Sequence, residues 1–304
     1  MSKLQRLEGI ITPLVTPLSK PDRLDTKALR RLVRYVLDGG VHGVFPLGTT
    51  GEFPHLTRET RRNVIEVTVE ETGGRVPVLA GIADTDFQQV IKNGAAARKA
   101  GADAAVVIPP YYFPLEEGEM EKFFVRIADE IELPVMIYNN PPFTGGSSVT
   151  PATLKKLSAD PAIIGVKDSR PEASKMTELI RTFKRRGNFR VFCGAEGIAA
   201  EALVKGAHGC VLGTSNLIPA FLAGLYNAAK KRDLKSLDKM QSAFNRLRRI
   251  YTHGRQPWSS YVKGLKVALS LIGICSPIMS QPLEPLHDAA VSEIIKELSE
   301  FGIL

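Results

Sequence analysis

The 304-residue chain is 44% apolar and 24% charged, and its 40 Lys and Arg outnumber its 32 Asp and Glu for a formal net charge of +8. These proportions exclude a disordered or fibrous chain and suit a globular protein with a sizeable core, either one large α/β unit or two average domains. No apolar run approaches the ~18 residues that a bilayer-spanning helix needs, so no membrane is expected as a partner.

The opening Met1-Ser2-Lys3-Leu4-Gln5-Arg6 carries no signal-peptide apolar stretch. Cys193, Cys210 and Cys275 lie inside apolar segments without CxxC spacing, a pattern that suits buried thiols in a reducing compartment. A cytoplasmic protein is the expectation. The basic excess falls in short clusters such as Lys184-Arg185-Arg186 and Arg246, Arg248, Arg249. Without interleaved aromatics these read as solvated helix faces, and nucleic acid is not expected as a partner.

A first apolar run, Gly9–Leu14, precedes a helical pattern over Thr26–Asp38. The alternation then repeats: Gly43–Leu47 with Thr57–Glu71, Val76–Ala80 with Asp86–Ala100, Ala104–Ile108 with Glu119–Glu130, and Pro134–Tyr138 with Pro151–Leu157. It continues with Ala162–Val166 and Pro171–Arg185, Arg190–Cys193 and Glu196–Lys205, and Gly209–Leu212 and Pro219–Lys230. The runs are rich in Val, Ile and Ala rather than alternating with polar residues, as parallel strands covered on both faces should be. Helix starts carry capping or proline signals, as in Thr57-Arg58-Glu59 and Thr150-Pro151. Several helices end on glycine directly before a strand, as at Gly39-Gly40, Gly101 and Gly206.

Eight strand–helix units in succession predict a (β/α)8 TIM barrel over residues 1–230. An open doubly wound sheet normally has fewer strands. Beyond Lys230 the strand-like runs stop. Helical patterns over Asp233–Tyr251, Ser259–Leu271 and Asp288–Phe301 predict a three-helix C-terminal extension over residues 231–304.

In barrels of this kind the chemistry sits at the C-terminal strand ends. The sixth run delivers Lys167 to such an end, just before Asp168-Ser169-Arg170-Pro171. Position alone allows an ordinary lysine paired with Asp168. A stiffly held, desolvated lysine is instead pushed toward the neutral amine, which can attack a ketone and form a Schiff base. The other strand ends supply what such chemistry needs. Gly48-Thr49-Thr50-Gly51-Glu52 combines flexible backbone with two hydroxyls that can cradle a carboxylate. Tyr138, one strand before Lys167, can shuttle a proton. With Lys167 on C2 of a 2-oxo acid, the imine becomes an electron sink for making or breaking a C3–C4 bond.

These residues carry a resemblance. Thr12-Pro13, Thr16-Pro17, Gly48-Thr49-Thr50-Gly51-Glu52, Pro110-Tyr111-Tyr112, Tyr138-Asn139-x-Pro141 and Gly165-Val166-Lys167-Asp168 stand in order over essentially the whole chain. The sequence thereby resembles the dihydrodipicolinate synthase / N-acetylneuraminate lyase superfamily of class I, Schiff-base aldolases. The resemblance implies Lys167 as the Schiff-base lysine and Tyr138 as the acid/base. It implies Thr49 and Thr50, with Gly51 in the same turn, at the substrate carboxylate, and backbone near Val211 lining that site. Tyr112 matches a tyrosine that in the synthases reaches across a dimer interface to complete the proton relay. The resemblance further implies a homotetramer built as a dimer of dimers, pyruvate and an aldehyde as small-molecule partners, and no cofactor or metal.

The match departs at Phe143. The synthase pattern is Tyr-Asn-x-Pro-x-Arg-Thr-Gly, and its arginine holds the carboxylate end of aspartate semialdehyde. A phenyl ring cannot replace a bidentate guanidinium, and losing a charge-assisted bond costs about 1.5–3 kcal/mol. Gly81-Ile82-Ala83-Asp84-Thr85-Asp86 likewise differs from the synthases' feedback-lysine segment, so lysine inhibition is not expected. The sialic-acid lyases show Gly-Ser-Thr-Gly-Glu where this chain has Thr49. His55 reads as a surface residue, and the histidines show no metal-ligand spacing. The expectation is therefore a lyase that reversibly cleaves a 2-keto-3-deoxy sugar acid to pyruvate and an aldehyde. The alternatives are the synthase reaction with aspartate semialdehyde, dehydration of a keto-deoxy sugar acid, and a non-catalytic keto-acid binder. Retention of the tyrosine argues against the last, since a binder needs no proton shuttle.

Overall fold

The computed structural model describes Leu4, residues 7–254 and residues 256–304. Apart from Leu4, the N-terminal segment read above for a leader lies outside the described residues.

The apolar runs form eight short strands: β1 Gly9–Pro13, β2 Gly43–Phe45, β3 Leu79–Gly81, β4 Ala104–Val107, β5 Val135–Asn139, β6 Ile163–Asp168, β7 Arg190–Cys193 and β8 Gly209–Val211. Every pairing between them is parallel, in the order β2-β1-β8-β7-β6-β5-β4-β3. A parallel bridge between Val44 and Val78 joins the two ends. There Val44 N donates to the Pro77 carbonyl at 3.0 Å and Gly81 N to the Pro46 carbonyl at 2.9 Å. The sheet is thus a closed TIM barrel, as the eight repeated units predict.

Helices α1 Thr26–Asp38, α2 Arg58–Thr72, α3 Phe87–Ala100, α4 Glu117–Ile131, α5 Pro151–Leu157, α6 Ala173–Phe183, α7 Ala199–Lys205 and α8 Pro219–Lys230 follow the strands in turn. Their starts are fixed by side chains that satisfy orphan amides. Asp25 accepts from Ala28 N, Thr57 from Thr60 N, and Thr150 from Thr153 N with Pro151 at the first helical position. Gly40, Gly101 and Gly206 take positive φ of 79°, 89° and 107° where the chain reverses into the next strand. After the barrel come α9 Leu234–Leu247, α10 Pro257–Leu271 and α11 Asp288–Phe301. Their apolar residues, among them Phe244, Leu247, Leu265, Ile294 and Leu298, join the same buried core as the barrel.

The differences from the sequence reading are local. β3 begins at Leu79 rather than Val76, because Pro77 has no N–H to donate to a ladder. A small hairpin, Leu18–Lys20 with Arg23–Leu24, turns at Asp22 in the left-handed region and was not foreseen. Glu196–Ile198 and Arg248–Tyr251 are 3-10 turns flanking α7 and α9, not continuous α-helix.

A buried ion pair ties the extension to the barrel mouth. Lys266 of α10 is fully buried, and its Nζ lies 2.5 Å from Glu52 Oε1, in the turn after β2. The same ammonium donates to the Ile278 carbonyl at 2.6 Å, while Ser280 N and Oγ donate to Glu52 Oε2 at 2.8 and 2.7 Å. Removing one partner strands the other charge in the interior. Lys266→Met should therefore cost about 3–5 kcal/mol in urea unfolding, and adding Glu52→Gln should recover part of that loss. A double variant no more stable than the single one would contradict this.

Candidate active site

The register of β5 against β6 makes Tyr138 and Lys167 direct neighbours on adjacent strands. Both point into the barrel, and each is 5% exposed. Lys167 Nζ lies 3.8 Å from the centroid of the Tyr138 ring and 5.1 Å from that of Phe45, so much of its surroundings is aromatic face rather than water. The next residue, Asp168, alternates away. It is taken up by the Arg170 guanidinium at 2.8–3.1 Å and by Asn139 Nδ2 at 2.7 Å. The simple Lys167–Asp168 pairing that position alone allowed is replaced by this one.

Burial pushes the Lys167 amine below the ordinary lysine range, and the charges of Tyr138 and Glu196 offset only part of that. Burial acts on Tyr138 in the opposite sense and would raise the phenol. The positive Lys167, together with hydrogen bonds from Thr49, Ser169 and Lys167, outweighs it and leaves Tyr138 below the ordinary phenol range. Asn140 Nδ2 donates to the phenol oxygen at 2.8 Å, and Thr49 Oγ1 lies 3.4 Å from it. A phenol oxygen that accepts from Asn140, with the Thr49 hydroxyl beside it, is set up to carry negative charge and to exchange a proton.

The turn after β2 runs as a 3-10 helix over Thr49–Gly51. Thr50 Oγ1 lies 3.1 Å from the Tyr261 hydroxyl on α10. Gly51 lies beneath the turn. Its amide donates to the Gly48 carbonyl at 3.0 Å, its carbonyl accepts from Thr16 Oγ1 at 2.7 Å, and a Cβ there would come within 3.0 Å of the Leu14 carbonyl. It packs the turn onto β1 and is not among the residues lining the cavity.

Thr49, Thr50, Tyr138, Phe143, Lys167 and Val211 line one cavity of about 700 Å³ at the C-terminal strand ends. Tyr112 does not. It is 77% exposed, with its ring edge-on to Phe113 at 4.9 Å. Space in the cavity depends on glycines. A Cβ at Gly194 would lie 2.1 Å from Ser169 Oγ and 3.0 Å from Lys167 Cε, and one at Gly213 would lie 1.5 Å from the Tyr261 hydroxyl.

Several lining residues were not singled out from the sequence: Asn140, Ser169, Glu196, Arg248, Tyr251 and Tyr261. Glu196 follows β7 and is 7% exposed. Its Oε1 accepts from Thr214 N at 2.9 Å and Thr214 Oγ1 at 2.8 Å, and its Oε2 lies 3.4 Å from Arg248 Nε. Burial pushes its carboxyl above the usual range, against the pull of Thr214, Arg248 and Tyr251. The strand-end rule that found Lys167 applies equally to Glu196, three residues past Cys193. Arg248, Tyr251 and Tyr261 come from the C-terminal extension, where no strand-end signal exists.

Among the described residues no group of three or more His, Cys, Asp or Glu side chains is placed to hold a metal ion, and no helix is long and apolar enough to cross a membrane.

A closed barrel with a desolvated lysine beside a hydrogen-bonded phenol defines the class: a class I lyase of the Schiff-base type. Comparison with known proteins agrees. The model of the dihydrodipicolinate synthetase family matches residues 6–301, and the chain belongs to that family, whose members are pyruvate-dependent class I lyases. It is similar to the dihydrodipicolinate synthase of Bacteroides thetaiotaomicron, with 38% identity, a TM-score of 0.92, and 97% of this chain and 98% of the other covered. It is also similar to an Escherichia coli K12 prophage protein of the same family solved in complex with pyruvate, at 29% identity, TM-score 0.92, and 98% and 99% coverage. A probable 2-dehydro-3-deoxy-D-pentonate aldolase of E. coli K12 is 29% identical over 94% of each chain.

The Gly213–Tyr261 contact leaves no room for a methyl group. Gly213→Ala should lower unfolding stability by about 1–3 kcal/mol through overpacking against α10. An unchanged denaturation midpoint would mean that Tyr261 does not occupy this position.

Proposed function

We propose that the enzyme reversibly cleaves a 2-keto-3-deoxy sugar acid to pyruvate and an aldehyde. The neutral Lys167 amine adds to C2 of the 2-oxo acid, and loss of water leaves a protonated imine. Tyr138, as the phenolate, takes the proton from the C4 hydroxyl. The C3–C4 bond then breaks, its electrons pass into the imine to form an enamine, and the aldehyde departs. The enamine regains a proton at C3 from Tyr138, and water hydrolyses the imine to release pyruvate and the free lysine. Thr49 and Thr50 hold the C1 carboxylate and connect it to Tyr138, and Val211 lines the same cavity. Tyr112, exposed and outside the cavity of its own chain, is assigned to the relay of a neighbouring copy in a homotetramer. The buried free thiols of Cys193, Cys210 and Cys275 support a reducing, cytoplasmic setting.

The observation that carries the choice of substrate is Phe143 in the cavity wall. It stands where the synthase pattern has the arginine that binds the second carboxylate of the condensation product, and it offers no donor there. The synthase reaction is the second reading, favoured by the 38% identity to the B. thetaiotaomicron enzyme.

Borohydride reduction in the presence of pyruvate, followed by peptide mass spectrometry, should place a pyruvyl adduct on Lys167 that Lys167→Ala abolishes. Absence of the adduct under turnover conditions would remove Schiff-base chemistry from the account. Tyr138→Phe should still trap pyruvate while losing most turnover, about 10²- to 10⁴-fold for a general acid–base group. Equal loss of both would deny Tyr138 its role. In a panel of aldehydes offered with pyruvate, hydroxyaldehydes should outperform aspartate semialdehyde, and the reverse order would establish the second reading.

A further inference from the structure

We propose that Arg248, pinned in the cavity wall by Glu196, reads the far end of the substrate and selects a second carboxylate there, so that the sugar acid is a 2-oxo-3-deoxy diacid. This rests on the aldol reading above and names its substrate class.

Arg248 comes from the 3-10 turn that closes α9, on the extension rather than the barrel, yet it lines the same cavity as Lys167. Its guanidinium has two edges in different situations. The Nε edge faces inward toward Glu196 Oε2 at 3.4 Å, and Nε itself is fully buried without a hydrogen bond. The Nη edge is loosely held. Nη1 reaches Asn245 Oδ1 only at 3.4 Å, and Nη2 has no partner among the described residues. The side chain is 37% exposed, so its outer edge is open to a ligand.

Glu196 is suited to be the anchor rather than the reader. One of its oxygens is occupied by both Thr214 donors, and the other is buried with no hydrogen bond, aimed at Arg248. Glu196 and Arg248 line the same cavity as Lys167, and the Glu196 charge acts on that amine. Burial raises the Glu196 carboxyl, and its contacts with Thr214, Arg248 and Tyr251 pull the other way. Gly197 keeps the approach clear, since a Cβ there would lie 3.1 Å from Nη1 and 4.0 Å from Nη2.

A pinned guanidinium presenting two parallel donors matches a carboxylate in both geometry and charge, whereas a hydroxyl uses only one donor and leaves the charge unmet. The neighbouring hydroxyls are already engaged: Tyr251 with Thr214, and Tyr261 with Thr50. Phe143 removes a guanidinium from one wall of the cavity, and Arg248 supplies one from another.

The test compares two three-carbon acceptors in condensation with pyruvate: glyceraldehyde, and tartronate semialdehyde, which carries a terminal carboxylate in place of the terminal alcohol. The wild-type enzyme should prefer the carboxylate acceptor in kcat/KM by about tenfold or more, the scale of one charge-assisted hydrogen-bonded contact. In Arg248→Gln the ratio of the two kcat/KM values should fall by about ten- to a hundredfold, mostly through KM for the carboxylate acceptor. Arg248→Lys, which keeps the charge without the fork, should give an intermediate ratio and serves if the glutamine variant does not fold. Equal use of both acceptors by the wild type, or an equal loss on both in either variant, would overturn the role of Arg248 and leave the aldol reading standing. Failure of both acceptors together with failure to trap pyruvate on Lys167 would overturn the aldol reading itself.

Discussion

The site depends on keeping water away from one ammonium group. The parallel register of β5 and β6 sets Lys167 beside Tyr138 inside a closed barrel, where aromatic faces replace solvent. Taking a charge out of water disfavours that charge, so the same burial that stiffens the side chain also makes it a nucleophile. The phenol answers in the opposite sense. The positive Lys167, with hydrogen bonds from Thr49, Ser169 and Lys167, lowers the phenol more than burial raises it. One strand pairing thus tunes an amine and a phenol toward each other. Asp168, a residue that could have neutralised the lysine, is held on the other side of the strand by Arg170 and Asn139.

The C-terminal extension is as much a part of the site as the barrel. α10 touches the turn after β2 twice, through Tyr261 on Thr50 and through Lys266 on Glu52. The second contact is a buried ion pair, a weak source of net stability, and losing either partner would strand the other charge in the interior. The turn that carries Thr49 and Thr50 is consequently fixed from below by Gly51 on β1 and from the side by α10. Arg248 and Tyr251 then close the far wall. Loosening the extension should therefore be felt at the reacting carbon.

Much of this is legible in the order of the residues alone. Eight strand–helix units could be counted because parallel strands covered on both faces read as unbroken apolar runs, and Lys167, Tyr138, Thr49 and Thr50 could be placed because a strand end lies where such a run stops. Phe143 and Val211 were placed by resemblance and do line the cavity. Gly51 was grouped with the carboxylate contacts on the strength of its backbone, but that backbone is spent inside the turn and on Thr16. Arg248 was read as part of a solvated basic face. An amphipathic pattern tells which side of a helix is buried, not what it is buried against, and here one edge of the extension faces the mouth of the barrel. Glu196 was read as a helix start for a related reason. The 3-10 turn that aims it into the cavity carries no signal distinguishing it from the first turn of α7.

Lys167 is a desolvated amine, and its own titration tests this most directly. The pH dependence of its reaction with an amine-selective reagent in the resting enzyme can be followed by peptide mass spectrometry beside an exposed lysine such as Lys92. Burial predicts that Lys167 loses its proton below the ordinary lysine range. It also predicts that Tyr138→Phe, which removes the negative partner supporting the ammonium, moves the transition lower still. A Lys167 that titrates together with the exposed lysines would contradict the account.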